Sequence, residues 1–64
     1  MEDFQKRVVV ERDDLEEKAK ALSDFIGNSP LFNEIVAAEQ ERLKVQNDIM
    51  WQYYEVLNER IQNF

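Results

Sequence analysis

Gly27-Asn28-Ser29-Pro30 decides the fold, because it holds the only glycine and the only proline of a 64-residue chain. Ser29 followed by Pro30 has the form of a helix N-cap with proline at the first helical position, and Gly27 has the form of the left-handed residue that closes the helix before it. Working outward, residues 2–26 are rich in Glu, Lys, Arg, Leu and Ala, and Val8-Val9-Val10 is too short a β-branched run to favour a strand there. The expectation is a first helix over about 2–26, a turn over 27–30, a short helical segment over about 30–35 and a second helix over about 36–62. A break is expected between the short segment and the second helix, because matched lengths let two helices bury their apolar faces fully. At 1.5 Å per residue each long helix spans roughly 40 Å.

Apolar residues repeat with helical spacing on both sides of the turn. Met1, Val8, Leu15 and Leu22 recur every seven positions, with Phe4, Ala19 and Ile26 on the same side. Val36, Leu43, Met50, Leu57 and Phe64 do the same, with Tyr54 and Ile61 beside them. In an antiparallel hairpin, facing residues have a constant index sum. Met1 with Phe64, Phe4 with Ile61, Val8 with Leu57, Leu15 with Met50 and Leu22 with Leu43 all sum to 65, and the midpoint falls just after the Gly-Asn-Ser-Pro turn. The fold class is therefore all-α, one domain over 1–64 in the form of an antiparallel helical hairpin.

Composition bounds the function. Fourteen acidic against eight basic side chains leave a net charge of −6, which disfavours generic binding to nucleic acid or anionic membrane surfaces. Neither cysteine nor histidine occurs, so disulfides, thiolate zinc sites and Cys or His nucleophile systems are excluded together. Ser23 and Ser29 are the only aliphatic hydroxyls, no triad logic is available, and a hairpin this small has no cleft to raise a carboxyl pKa. The reading is of a protein that is not an enzyme and takes no cofactor and no metal. No apolar run reaches membrane-spanning length and the N-terminus is acidic, so a soluble protein of the cytoplasm is expected.

Two seams do not use all the apolar residues. Val45, Ile49, Tyr53 and Val56 lie about 80° to 160° from the Leu43 seam on one side, and Trp51 lies about 80° away on the other. Val9, Val10 and Phe25 are also off the seam, and Leu31 and Phe32 follow the turn. Since burying each large side chain is worth roughly 1.5 to 3 kcal/mol, self-association into a four-helix or larger bundle is expected. Val45, Ile49, Tyr53 and Val56 are the candidate interface, with Trp51 a candidate partner anchor. The carboxylates of residues 11–17 read as a solvated helix face, laced by i, i+4 pairs such as Glu16 with Lys20. Arg12 and Asn47 are polar groups at the seam margins, expected near Tyr54 and Ala19, where they set register or reach water. A sharper reading groups Arg12 with Arg7 or Lys6 and with Tyr53 or Tyr54 as contacts for a small anionic ligand such as a nucleotide.

The pattern Phe4-x-x-Arg7-Val8, Glu11-x-x-x-Leu15-x-x-Lys18, Leu22-x-x-Phe25-Ile26, Phe32, Glu39-Gln40-x-Arg42-Leu43-x-x-Gln46-x-x-x-Met50-x-x-Tyr53 and Val56-Leu57-x-x-Arg60-Ile61-x-x-Phe64 resembles a family of small phage and prophage proteins described as related to a protein of a crAss-like phage. The resemblance spans practically the whole chain, although Ile35-Val36 stands where that family commonly has Leu-Pro. It implies a phage accessory protein in a bacterial cytoplasm, which antagonises host machinery by occupying a surface or sequestering a signal, and it carries no catalytic residues to transfer. The expected function is an oligomeric, non-catalytic binder of a host protein or defence signal. The alternatives are a sponge for a small anionic nucleotide, an acidic DNA-mimic decoy and a structural phage protein.

Overall fold

A computed structural model describes all 64 residues, Met1–Phe64. Helix α1 runs Asp3–Asn28, a 3-10 helix runs Pro30–Glu34, and helix α2 runs Ala37–Gln62. The two long helices pack antiparallel as a hairpin 46 Å long and 15 by 13 Å across. A compact chain of this length would have a radius of gyration near 11 Å, and the hairpin has 14.5 Å. Its accessible surface of 4827 Å² likewise exceeds the roughly 4,300 Å² usual for a monomer of this mass.

Helix α1 is capped by Glu2, whose backbone N–H donates to Gln5 Oε1 at 2.8 Å. The turn departs from expectation in one respect. No residue has a positive φ, so Gly27 is not a left-handed cap but an ordinary helical residue, and α1 continues through Asn28. The continuation is held by Asn28 Nδ2 donating to Asp24 Oδ1 at 2.7 Å and by the Ser29 N–H reaching Phe25 O at 3.2 Å. Reversal begins at Ser29, which is extended and whose Oγ accepts from the Leu31 N–H at 3.3 Å. Pro30 then opens the 3-10 helix. Ile35 and Val36 are again extended and separate that segment from α2. Gln40 Nε2 donates to Ile35 O at 2.7 Å and ties the break down.

Helix ends are symmetric about the expected midpoint, 3 with 62 and 28 with 37 both summing to 65. The side chains that touch are offset from that sum. Phe4 packs edge-on against Phe64 at 5.9 Å between ring centroids, where the index sum pairs Phe4 with Ile61. Helical side chains lean toward the N-terminus of their own helix, so partners across antiparallel helices lie further along each chain than residues at equal height. Only Val8, Ala19, Phe32 and Leu57 are buried. Phe32, expected among the surplus apolar residues, is instead buried against Phe25, edge-on at 5.9 Å, and plugs the turn end of the hairpin.

Candidate functional site

The two long edges of the hairpin differ in kind. One is closed by side-chain hydrogen bonds running from helix to helix. Trp51 Nε1 donates to Ser23 Oγ at 3.0 Å, Ser23 donates onward to Asn47 Oδ1 at 2.8 Å, and Asn47 Nδ2 donates to Ala19 O at 3.0 Å. Further from the turn the Tyr54 hydroxyl donates to the Glu16 carboxylate, and Arg12 Nη1 donates to Asn58 Oδ1 at 2.8 Å. The Trp51 and Tyr54 rings meet edge-on at 5.4 Å, which welds the two halves of this clasp. Tyr54 is the main reason that Glu16 titrates below the usual carboxylate range; the hydrogen bond from Lys20 lowers it further, desolvation opposes both, and the charges of Lys20 and Arg12 add to the lowering.

Arg12, Glu16 and Ser23 lie 60° to 100° to one side of Leu15 on α1, and Asn47, Tyr54 and Asn58 lie 60° to 100° from Leu57 on α2, all in the same rotational sense at about 100° per residue. In antiparallel helices equal senses fall on the same side. That projection is the sequence signal for the clasp, and it identifies Glu16, Ser23 and Asn58, which the periodicity of apolar residues does not single out. Asn47 sits against Ala19 as expected from the index sum.

The opposite edge has no such closure. Val45, Ile49, Tyr53 and Val56 are 55%, 57%, 44% and 53% exposed and form a stripe along α2. Beside it lies a shallow groove of about 400 Å³ lined by Arg7, Val10, Glu11, Asp14, Leu15, Lys18 and Tyr53. Val10 is 58% exposed and extends the apolar surface onto α1.

The proposed anionic-ligand residues are thus divided. Arg7 and Tyr53 share the groove. Arg12 and Tyr54 belong to the clasp, where Arg12 Nε also pairs with Asp13 Oδ1 at 2.8 Å, and both would have to release their partners to hold a ligand. Trp51 is half-buried and spends its indole N–H inside the hairpin. Both serine hydroxyls are occupied structurally, Ser23 in the clasp and Ser29 at the turn. No cluster of acidic side chains is arranged to hold a metal ion. No helix is long and apolar enough to cross a membrane.

The profile of one protein family, described as Sequestin, matches residues 2–63. The chain belongs to the Sequestin family. The match covers both helices, the 3-10 turn, the clasp and the open stripe, so all of the geometry above lies within the Sequestin unit. The family shown is Sequestin, and a phage source rests on the motif resemblance alone; those motifs are mostly seam positions, which any helical hairpin of this length must fill with similar residues. No enzyme family is indicated for this Sequestin chain. Neither a curated protein nor a solved structure matches it.

Proposed function

We propose that the protein is a phage-encoded, non-catalytic binder that works in several copies and acts by occupancy, sequestering a host protein or a host defence signal in the bacterial cytoplasm. The carrying observation is the open edge. A hairpin that buries four residues leaves Val45, Ile49, Tyr53 and Val56 in water on a single face while its other edge is clasped shut. That asymmetry favours one surface for association. The name of the Sequestin family supports a sequestering role, and the resemblance to phage proteins supports the setting.

A second reading, a sponge for a small anionic nucleotide, is favoured by the groove, where Arg7 and Lys18 flank the exposed Tyr53 ring. Glu11 and Asp14 line the same groove and offset those two cations. An anion held there therefore needs the arginine and the ring together, not the local field alone.

Affinity capture of the tagged protein from bacterial lysate, with and without added nucleotides, tests the first reading. A partner retained stoichiometrically by the native chain and lost from Ile49→Asp supports it; equal retention by both removes the stripe from the mechanism. Thermal-shift measurements against nucleotide signals separate the second, since a ligand bound only by the folded chain raises the melting temperature with concentration. No rise with any nucleotide would dismiss the sponge.

A further inference from the structure

We infer that Arg60 is the second arm of an anion site whose first arm is Arg7: the two guanidiniums close on one phosphate group at the terminal mouth of the groove, and the Tyr53 ring carries the base of the same nucleotide. The inference rests on the sponge reading above and adds Arg60, which lines no part of the groove itself, together with the direction in which the nucleotide lies. Helix ends that sum to 65 put Arg60 level with position 5 of α1, so the two arginines stand about 3 Å apart along the rod. Around the helix axes Arg7 lies about 80° from Leu15 and Arg60 about 60° from Leu57, both in the sense opposite to the clasp, and both are exposed. Two long cationic side chains on facing helices therefore overhang the same edge.

Neither arginine is engaged inside the hairpin. Arg12, Lys20, Arg42 and Lys44 each hold a carboxylate, whereas Arg7 and Arg60 hold none. Arg7 has Asp3 and Glu11 four positions to either side, the spacing of a helical ion pair, and bonds to neither. Arg60 has no acidic residue three or four positions away in either direction. Glu55 and Glu59 lie about 160° from Leu57, on the back of α2, and Asp3 stands about 120° round from Leu15, which leaves Glu11 and Asp14 as the carboxylates of the groove. Two like charges on one edge repel, and a phosphate set between them, accepting from both forks, removes that repulsion. Lys18 is about 16 Å along α1 from Arg7, too far to share the same phosphate.

Tyr53 fixes the direction. It precedes Arg60 by about 10 Å on the same side of α2, two helical turns, and its ring is 44% exposed. A nucleotide with its base on that ring and its phosphate toward the chain termini spans this interval. The reverse direction brings the phosphate beside Asp14, where a single cation, Lys18, answers it. The plainer role for Arg60 is at the C-terminus of α2, where a positive charge in the last turn offsets the helix dipole. That role asks only for charge, which lysine supplies equally; a two-pronged hold on phosphate asks for the planar guanidinium.

Calorimetric titration of the full chain with ADP, with adenosine as the phosphate-free comparison, tests the clamp. Arg7→Ala and Arg60→Ala are each expected to weaken ADP binding by at least about tenfold without changing the weaker hold on adenosine. Arg60→Lys is expected to keep the native melting temperature and helix content while recovering only part of the ADP affinity. Lys44→Ala, which removes the same charge from a side chain paired with Glu41 away from the groove, is expected to leave both ligands unaffected. Equal ADP binding by the native chain and Arg60→Ala overturns the second arm and leaves the sponge standing. Full recovery by Arg60→Lys assigns Arg60 to the helix end and likewise overturns the clamp. No binding of ADP by the native chain overturns the clamp, and the sponge falls with it only when no nucleotide raises the melting temperature.

Discussion

Ser23 and Asn47, 24 positions apart in the chain, share a 2.8 Å hydrogen bond across the hairpin, and each is bonded again on its far side, Ser23 by Trp51 and Asn47 by the Ala19 carbonyl. A polar chain of this kind in an apolar seam specifies one register, because sliding either helix by a turn leaves every member unpaired. Asn47→Ala is expected to destabilise the hairpin by about 1 kcal/mol, some 4–8 °C in melting temperature for a domain of this size. Ser23→Ala and the double variant should fall short of additivity, since both remove the same bond. Chemical denaturation of the four proteins checks this, and full additivity would mean that the two side chains act separately.

Tyr54 and Glu16 make the clasp sensitive to acid. The lowered Glu16 pKa means that its contribution to stability is complete above its ordinary value of 4.5 and fades as the pH falls through the lower value of the folded state. Tyr54→Phe removes the largest cause of that lowering, so the Glu16 carboxyl should titrate closer to 4.5 in carbon-detected NMR, with Lys20 still holding it slightly down. The stability difference between the two proteins should be present at pH 7 and shrink toward pH 3. A difference of constant size would assign the effect to packing of the ring.

What could be read from the sequence divides along a physical line. The seams were legible because Val8, Leu15 and Leu57 repeat at a period that any helix must obey, and the turn was legible because Ser29 and Pro30 act locally. Gly27 misled for a related reason: glycine permits a left-handed cap but does not require one, and the bonds from Asn28 to Asp24 and from Ser29 to Phe25 let the helix run two residues further. Phe32 was misplaced because its burial depends on how the 3-10 turn folds back onto Phe25, a non-local contact. Trp51 and Tyr54 are large amphipathic rings whose polar atoms found partners 28 and 38 positions away, and apolar spacing carries no information about hydrogen bonding. That Val45, Ile49 and Tyr53 stay exposed off the seam was legible because an apolar residue's angle follows from its position alone.

Gly27 supplies a test of that correction. It sits in helical backbone without a positive φ, and a Cβ built there meets no atom within 4 Å. Gly27→Ala is therefore expected to stabilise the protein by about 0.5–1 kcal/mol, chiefly by restricting the unfolded chain. A left-handed Gly27 would give the opposite sign, so a thermal melt of this single variant distinguishes the two conformations.

The stripe makes the strongest demand on experiment because its residues are dispensable to the lone hairpin. Val45, Ile49 and Val56 are all more than half exposed, so Ile49→Asp and Val56→Asp should leave helix content by circular dichroism nearly unchanged. In an assembly that uses the stripe, the same aspartates replace apolar contacts in both copies. Losing the burial of one large side chain from each copy costs about 3 kcal/mol, equivalent to at least about 100-fold in the association constant. Sedimentation across micromolar concentrations should show the native chain shifting toward a multiple of 7.7 kDa and each variant remaining at the mass of a single copy. If the variants associate as well as the native chain, these residues are surface only, and any second copy must be sought on another face.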